Sequence, residues 1–162
     1  MKICVLGLGY IGLPTSLLLA NAGNTVTGVD INTKIIETLK KGELPFNEPG
    51  LAELLQHAKQ SFTPSSVVES SDVYIIAVPT PLEKGMKLAD LNAVMSASES
   101  IATVIREGQL VILESTVPPG TSENLVIPIL RKNMKKYFYY AHCPERAIPG
   151  KTLHEMVFND RI

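Results

Sequence analysis

Three glycines near the start of the chain have a spacing that favours phosphate binding. Gly7, Gly9 and Gly12 form a Gly-x-Gly-x-x-Gly pattern between the first apolar run and a helical segment. In that setting the first glycine allows a tight turn, the second lets a pyrophosphate reach the backbone, and the third lets helix and strand pack closely. The amides of Tyr10 and Ile11 then lie at a helix N-terminus, where free N–H groups attract phosphate. The alternative is a glycine-rich turn that is only structural.

An acidic residue follows at the distance expected for a ribose-binding group. Asp30 ends the second apolar run, 18 residues after Gly12, and a ribose-binding carboxylate is expected about 20 residues after such a loop. Its charge would repel a 2′-phosphate by about 4 kcal/mol, and none of the next three residues is an arginine. We therefore predict that the ligand is NAD rather than NADP. Lys34 is a further candidate contact, with a solvated helix lysine as the alternative.

Polar side chains also follow three later predicted strands. They are Thr80 after the fourth strand, Glu114 and Thr116 after the fifth, and Glu145 and Arg146 after the sixth. Because open parallel sheets bind ligands at the carboxyl ends of their strands, these side chains are candidates for contact with a dinucleotide or its substrate. The structural alternatives are a proline-stiffened turn at Thr80, a helix cap after the fifth strand, and a surface ion pair between Glu145 and Arg146.

The cysteines and histidines do not point to a nucleophile or a metal site. Cys4 lies inside the first predicted strand and is expected in the core. Cys143 follows the sixth strand with no base demonstrably beside it, so a small buried thiol is the favoured interpretation. His142 is predicted to be structural. The two cysteines and three histidines lack zinc-ligand spacing, and no metal is predicted.

Strand-like and helix-like segments alternate along the chain. The predicted strands are 2–6, 25–29, a short one near 62–63, 73–78, 110–113 and 137–141. The predicted helices are 10–22, 33–41, 51–58, 88–105 and 121–132, the last with Pro128 as an irregularity. This alternation predicts an α/β fold of Rossmann type, with a doubly wound, mainly parallel six-stranded sheet and helices on both faces.

Composition excludes several classes of function. The 162 residues suit one domain. A net charge of −1 without a strong basic run argues against a nucleic-acid or anionic-membrane surface. Glycines and Pro14 interrupt the apolar N-terminus, which argues against a signal peptide, and no run of 18 apolar residues could span a membrane. We expect a cytoplasmic protein that binds neither nucleic acid nor membrane.

Six motifs, in order along the chain, resemble the N-terminal NAD-binding domain of the nucleotide-sugar dehydrogenase family. They are GLGYIGLP from Gly7, GVDIN from Gly28, NEPGL from Asn47, AVPTP from Ala77, LESTVPPGT from Leu113 and CPERAIPG from Cys143. ILEST, CPERxxPG and a terminal NDRI together are most similar to the branch that oxidises UDP-N-acetyl-D-mannosamine. Hydroxy-acid and 6-phosphogluconate-type dehydrogenases share a similar glycine loop, but ESTVPPG and CPER argue against them.

The resemblance implies a reaction and a set of roles. Such enzymes oxidise the sugar C6 alcohol to a carboxylate in two hydride transfers to two NAD, through a cysteine thiohemiacetal and a thioester. Taken with the residue patterns, it gives the predicted NAD contacts as Gly7, Gly9, Tyr10, Ile11, Gly12, Asp30, Lys34, Thr80, Glu114 and Thr116. Arg146 and Ala147 would contact the UDP-sugar substrate. Glu145 would be an acid/base or water-orienting group, and Thr116 would help to order the hydrolytic water.

The same resemblance implies that part of the catalytic apparatus lies elsewhere. The family's nucleophilic cysteine, with a lysine and an asparagine, belongs to a later domain, and neither cysteine here matches its motif. We therefore expect residues 1–150 to be the NAD-binding domain, residues 151–162 to begin a helix toward a missing domain, and the chain alone to be inactive. Full-length members are expected to be homodimers or larger. Alternatives are a UDP-glucose or UDP-N-acetylglucosamine 6-dehydrogenase, or a non-catalytic NAD-binding module.

Overall fold

All the strands among the described residues lie in one parallel sheet. The computed structural model describes residues 1–83, 85, 88–132 and 137–160. The strands are β1 (Lys2–Leu6), β2 (Thr25–Val29), β3 (Phe62–Ser65), β4 (Val73–Ile76), β5 (Leu110–Leu113) and β6 (Tyr139–His142). Their order is β3-β2-β1-β4-β5-β6, and every neighbouring pair is parallel. The predicted six-stranded Rossmann-type sheet is confirmed. Its strand order reverses between β1 and β4, where such folds bind ligands.

Helices cover both faces of this sheet. They are α1 (Gly12–Asn21), α2 (Thr33–Lys40), α3 (Leu51–His57) with a 3₁₀ turn (Ala58–Gln60), α4 (Asn92–Ala102), a π-helical turn (Ser122–Val126) running into α5 (Ile127–Arg131), and α6 (Thr152–Phe158). Alternate residues of β1 face opposite ways, as a strand requires. Ile3 and Val5 join a core with α1, α2 and α3, whereas Cys4 and Leu6 join a second core with α4 and α5.

Two helices differ from the sequence prediction for local reasons. α4 begins at Asn92 rather than 88, because Leu82 pairs antiparallel with Ala89 in the preceding loop. The Asp90 carboxylate then accepts a hydrogen bond from the Asn92 amide, 2.9 Å away. The predicted irregularity at Pro128 is confirmed, since the π-helical turn comes directly before α5. Proline has no N–H for the carbonyl four residues back, and the backbone widens there.

Strand ends and the chain terminus show smaller differences. β4 stops at Ile76, two residues before the predicted end, although the Ala77 amide still donates to the Leu6 carbonyl at 2.8 Å. β6 is displaced toward the C-terminus and spans Tyr139–His142. The predicted helix after Gly150 is present as α6. Two residues of the NDRI motif, Arg161 and Ile162, lie outside the described residues.

Candidate functional site: a glycine loop and the sheet edge beside it

Two of the three loop glycines are required by packing. Gly7 has φ of +96°, and a Cβ added there would lie 2.5 Å from the Ala77 carbonyl oxygen. A Cβ on Gly12 would lie 1.8 Å from the Gly7 carbonyl oxygen and 3.0 Å from its carbonyl carbon. These are backbone atoms, so neither clash can be relieved by turning a side chain. Gly7 and Gly12 therefore hold β1, β4 and α1 at close range, as the sequence pattern predicts.

The third glycine faces open space beside unused hydrogen-bond donors. A Cβ on Gly9 would meet no atom within 4 Å. Further along, the Leu13 amide donates to the Gly9 carbonyl at 3.1 Å, within the first turn of α1. Within the described part of the chain, the amides of Tyr10 and Ile11 donate no hydrogen bond. Open space with free N–H groups at the start of a helix fits an anionic ligand such as a pyrophosphate.

Asp30 is held beside this loop in a fixed orientation. Its Oδ2 accepts a hydrogen bond from the Leu8 amide and its Oδ1 one from the Asn32 amide, both at 2.8 Å. A carboxylate has about four acceptor sites, so capacity remains for two ribose hydroxyls. The half-buried Asp30 thus fits the predicted ribose role. Lys34 is exposed, and its amide donates to the Asn32 side-chain oxygen at 3.1 Å.

The glycine loop also makes an aromatic contact that sequence reasoning missed. Tyr10 is 50% exposed, and its ring centroid lies 4.3 Å from that of Phe46 at an interplanar angle of 33°. Phe46 belongs to the segment 41–50 between α2 and α3. No local pattern predicts this pair, because the two rings come from loops 36 residues apart in a chain with few aromatic residues. The contact makes the segment 41–50 one wall of the loop.

The loops after β4 and β5 are joined by hydroxyl groups. Thr80 Oγ1 donates to the Thr116 carbonyl at 2.7 Å, and Ser115 Oγ donates to the Val78 carbonyl at 2.7 Å. The structure therefore brings Thr80 and Thr116 together, and it leaves the Thr116 side chain exposed. His142 Nε2 lies 3.3 Å from the Ser115 carbonyl oxygen, which agrees with its predicted structural role.

Glu114 is turned into the protein. It is 4% exposed, and its Oε2 accepts a hydrogen bond from the Thr15 hydroxyl of α1 at 3.0 Å. The structure thus gives Glu114 a role in joining β5 to α1. The predicted contact of Glu114 with NAD stays a prediction.

The loop after β6 carries the predicted substrate residues. Glu145 Oε1 accepts hydrogen bonds from the amides of Arg146 and Ala147, at 2.7 and 2.9 Å. Its own amide donates to the Glu114 carbonyl at 3.2 Å. Glu145 therefore shapes the turn that presents the two residues after it. Arg146 is exposed, and its guanidinium donates to the Asp160 carbonyl at 3.2 Å.

A buried carboxylate from a distant loop holds the end of that turn. Glu48 is 4% exposed, and it accepts hydrogen bonds from the amides of Gly150 at 2.8 Å and Thr152 at 2.9 Å. Burial raises the pKa of the Glu48 carboxyl, but the hydrogen bonds from Gly150 and Thr152 outweigh this and lower the pKa below its ordinary value. The NEPGL motif contains Glu48, yet its partners lie 102 and 104 residues away, and no local pattern reveals them.

The two cysteines have different surroundings. Cys4 is fully buried in the second core, as predicted, and burial raises the pKa of its thiol to about 12. It is therefore not a nucleophile near neutral pH. Cys143 is half-buried after β6, and its amide donates to the Leu113 carbonyl at 2.9 Å. In the ranges that the structure covers, no cluster of three His, Cys, Asp or Glu could hold a metal ion, and no helix could cross a bilayer.

Comparison with known proteins decides the family. Residues 1–162 match the model described as the UDP-glucose/GDP-mannose dehydrogenase family, NAD binding domain. The chain belongs to this family. A UDP-N-acetyl-D-mannosamine dehydrogenase of Methanococcus maripaludis is 46% identical over 99% of the chain and 38% of the relative. One from Campylobacter jejuni is 40% identical over 99% of the chain and 42% of the relative. The cofactor of this NAD-binding domain is NAD.

Solved structures of family members share the fold closely. The UDP-N-acetyl-mannosamine dehydrogenase Cap5O from Staphylococcus aureus has a TM-score of 0.93 and 41% identity, covering 99% of this chain and 40% of that one. A ternary complex of GDP-mannose dehydrogenase from Pseudomonas aeruginosa has a TM-score of 0.92 and 32% identity, covering 98% and 39%. The chain thus spans about two fifths of the length of the relatives it matches.

Proposed function

We propose that this domain serves an enzyme that oxidises C6 of UDP-N-acetyl-D-mannosamine to a carboxylate with two NAD. The observation that carries the proposal is the match, across 99% of the chain, to relatives named UDP-N-acetyl-D-mannosamine dehydrogenase. The ESTVPPGT and CPERAIPG motifs follow β5 and β6 at the sheet edge that carries the glycine loop. Dinucleotide and sugar would meet there, at the carboxyl ends of the strands.

The proposed roles follow from which groups are free. The amides of Tyr10 and Ile11 bind the pyrophosphate, and Asp30 binds the ribose hydroxyls. NAD, when bound, accepts hydride. The exposed Thr116, joined to Thr80, lies at the next loop along the edge and helps to position the reacting sugar or water. The exposed Arg146 binds the anionic nucleotide sugar, with Ala147 beside it.

Glu145 has a geometry that limits how it can act. Its Oε1 is engaged by two backbone amides of its own turn. These two hydrogen bonds hold the carboxyl group in one orientation toward its own turn. We propose that Glu145, held in this way, orients water or substrate or acts as an acid/base group.

Catalysis is proposed to need more of the protein than residues 1–162. Cys4 is buried with a raised pKa. The Cys143 amide is hydrogen-bonded to Leu113, and among the described residues no histidine or lysine is a hydrogen-bond partner of Cys143. Oxidation beyond the aldehyde requires a nucleophile that holds the carbon as a hemithioacetal. Residues 1–150 would then supply the NAD domain, residues 151–162 would lead to the domain with that cysteine, and the whole enzyme would be a cytoplasmic homodimer or larger assembly.

The first experiment measures binding of NAD and NADP to this chain by calorimetry. Asp30 repels a 2′-phosphate, so NAD should bind more tightly. Equal or tighter binding of NADP would contradict the ribose assignment.

The second experiment measures NADH formation with UDP-N-acetyl-D-mannosamine, UDP-glucose and UDP-N-acetylglucosamine. The 162-residue chain and a longer product of the same gene are compared. Turnover only by the longer protein, and fastest with the mannosamine sugar, is expected. Faster turnover of another nucleotide sugar would change the proposed substrate to that sugar. No turnover of any of the three sugars would favour a non-catalytic NAD-binding module. Steady turnover by the short chain that is lost in Cys143→Ser would show that Cys143 is the nucleophile.

A further inference from the structure

The loop 143–150 is held by carboxylates along its backbone. Glu145 accepts the amides of Arg146 and Ala147. Glu155 of α6 accepts the Ile148 amide through Oε2 at 2.8 Å. Both of these acceptors lie within residues 143–158. Their hydrogen bonds therefore shape the loop without attaching it to the rest of the domain.

Two kinds of acceptor from outside this segment hold the loop. The carbonyls of Leu113 and Glu114 hold its start, and the carboxylate of Glu48 holds its end. The two oxygens of Glu48 take the amides of Gly150 and Thr152, one on each side of the turn that enters α6. The hydrogen bond to Thr152 is buried and the one to Gly150 is partly buried, so water competes least for the Thr152 amide. A charged acceptor with two short hydrogen bonds is among the stronger polar contacts in a protein. Glu48 thereby attaches the loop end to the segment 41–50.

That segment also contacts the glycine loop. Phe46 packs on Tyr10 at 4.3 Å between ring centroids. On the other side of Glu48, a Cβ on Gly50 would lie 3.1 Å from Leu153 Cδ1, so α6 lies close against the same segment. The segment 41–50 therefore contacts the glycine loop through Phe46 and the end of the loop 143–150 through Glu48.

We propose that Glu48 is a positioning residue, which fixes the loop 143–150 and Arg146 relative to the glycine loop and so sets the geometry of the sugar-nucleotide side of the site. The consequence for substrate rests on the proposed function. The fixing of the loop does not, because it follows from Glu48 and its two amide partners alone. Two experiments separate these parts.

The first experiment follows amide hydrogen exchange by NMR in the 162-residue chain. In Glu48→Gln the amides of Gly150 and Thr152 should exchange about tenfold faster or more, since a charged acceptor is lost. Affinity for NAD should stay within about twofold. Glu43→Gln is the matched control, because Glu43 is an exposed acid of the same segment without a described side-chain partner, and it should change neither. Unchanged protection in Glu48→Gln would overturn the proposal.

A folding defect is addressed with a second variant. If Glu48→Gln does not fold, Glu48→Asp keeps the charge but shortens the side chain by one methylene. It should accelerate exchange at Gly150 and Thr152 while the Leu8 amide, which is bonded to Asp30, stays protected. Equal acceleration at all three amides would show a global effect on stability and would overturn the positioning role.

The second experiment measures steady-state kinetics in the longer protein. Glu48→Gln should raise KM for the nucleotide sugar about tenfold and leave KM for NAD within about twofold. An equal rise in both constants, or no rise in either, would overturn the positioning role. If the wild-type protein oxidises no nucleotide sugar, the proposed function fails, and the exchange experiment alone decides whether Glu48 fixes the loop.

Discussion

The two halves of the sheet edge use their polar groups in opposite ways. Around β1 and β2 the groups offered to a ligand are backbone amides, those of Tyr10 and Ile11, which have no internal partner in the part of the chain that the structure describes. Around β4 and β5 the hydroxyl groups of Thr80 and Ser115 donate hydrogen bonds to carbonyls of the neighbouring loop. The first half therefore offers hydrogen-bond donors to a ligand, whereas in the second half the hydroxyl groups hold the two loops together.

This difference separates binding from stability. In the first half a substitution can remove ligand contacts and leave the fold intact, provided that the position is open. In the second half most polar side chains support the loops, so their removal costs stability first. Thr116 in this half and Arg146 in the loop after β6 are exposed, and we propose them as ligand contacts.

The largest expected effect distinguishes two glycines of one loop. Gly12→Ala should destabilise the domain by about 3 kcal/mol, because its Cβ would lie 1.8 Å from the Gly7 carbonyl oxygen. The melting temperature should fall by roughly 6–12 °C. Gly9→Ala has no atom within 4 Å of its Cβ, so stability should change by less than about 0.5 kcal/mol. Thermal unfolding of both variants makes the comparison.

Binding of NAD to the same pair completes this test. Gly9→Ala should weaken NAD binding in a folded protein, since the added methyl group occupies the approach of the pyrophosphate. Normal NAD affinity in Gly9→Ala would show that the open side of the loop is not the binding surface. Equal stabilities of the two variants would show that the first half is not built on the close packing of Gly12.

Gly12 also illustrates what can be predicted from the sequence alone. The glycine spacing and the apolar runs predict the loop and the doubly wound parallel sheet, because both depend on short-range sequence patterns. The same reasoning places α4 four residues too early, since it takes Leu88 as a helical residue. The pairing of Leu82 with Ala89 prevents this, and it depends on a turn that apolar periodicity does not encode.

The next largest effect is expected at Asp30, which is both a proposed ligand contact and a support of the glycine loop. Asp30→Ala should weaken NAD binding by about 1–3 kcal/mol, the range for hydrogen bonds to a charged acceptor. It also removes the acceptor of the Leu8 amide, so we expect a loss of stability of about 1 kcal/mol in addition. Calorimetric titration and chemical unfolding of the same sample measure the two losses. A stable variant with wild-type NAD affinity would exclude the ribose role.

Glu48 shows what the sequence could not predict. The residue types around it indicate a loop, and the NEPGL motif marks it as part of the family resemblance. Its chemistry appears only when β6 and α6 bring Gly150 and Thr152 to it from 102 and 104 residues away. The same holds for Glu114, because its hydrogen-bond partner Thr15 lies 99 residues earlier in the chain. Long-range hydrogen bonds of this kind leave no periodic signal.

Glu48 gives a smaller effect with a defined pH dependence. Its folded-state pKa lies below the ordinary value of 4.5, so its contribution to stability is present above that pH and is lost as the pH falls through the folded pKa. Glu48→Gln should be less stable than wild type by about 2 kcal/mol at pH 7, and this difference should narrow as the pH falls below 4.5. Urea unfolding between pH 7 and 3 measures it, with Glu43→Gln as control. A gap that does not change with pH would contradict the assignment.

The smallest effect on stability is expected at Cys143. The same experiment compares the reactivity of the two thiols, Cys4 in β1 and Cys143 after β6. Cys4 is fully buried, and its thiol with a pKa of about 12 is almost wholly protonated at pH 8. Since the thiolate is the reactive form, the folded chain should react with iodoacetamide at Cys143 alone. Cys143→Ser should abolish this labelling and change the free energy of unfolding by less than about 0.5 kcal/mol. Mass spectrometry of the labelled chain identifies the site, with the urea-unfolded chain as a control in which both thiols react. Labelling of Cys4 in the folded chain would mean that β1 opens on the time scale of the reaction, which is incompatible with a glycine loop held rigidly between β1 and β4.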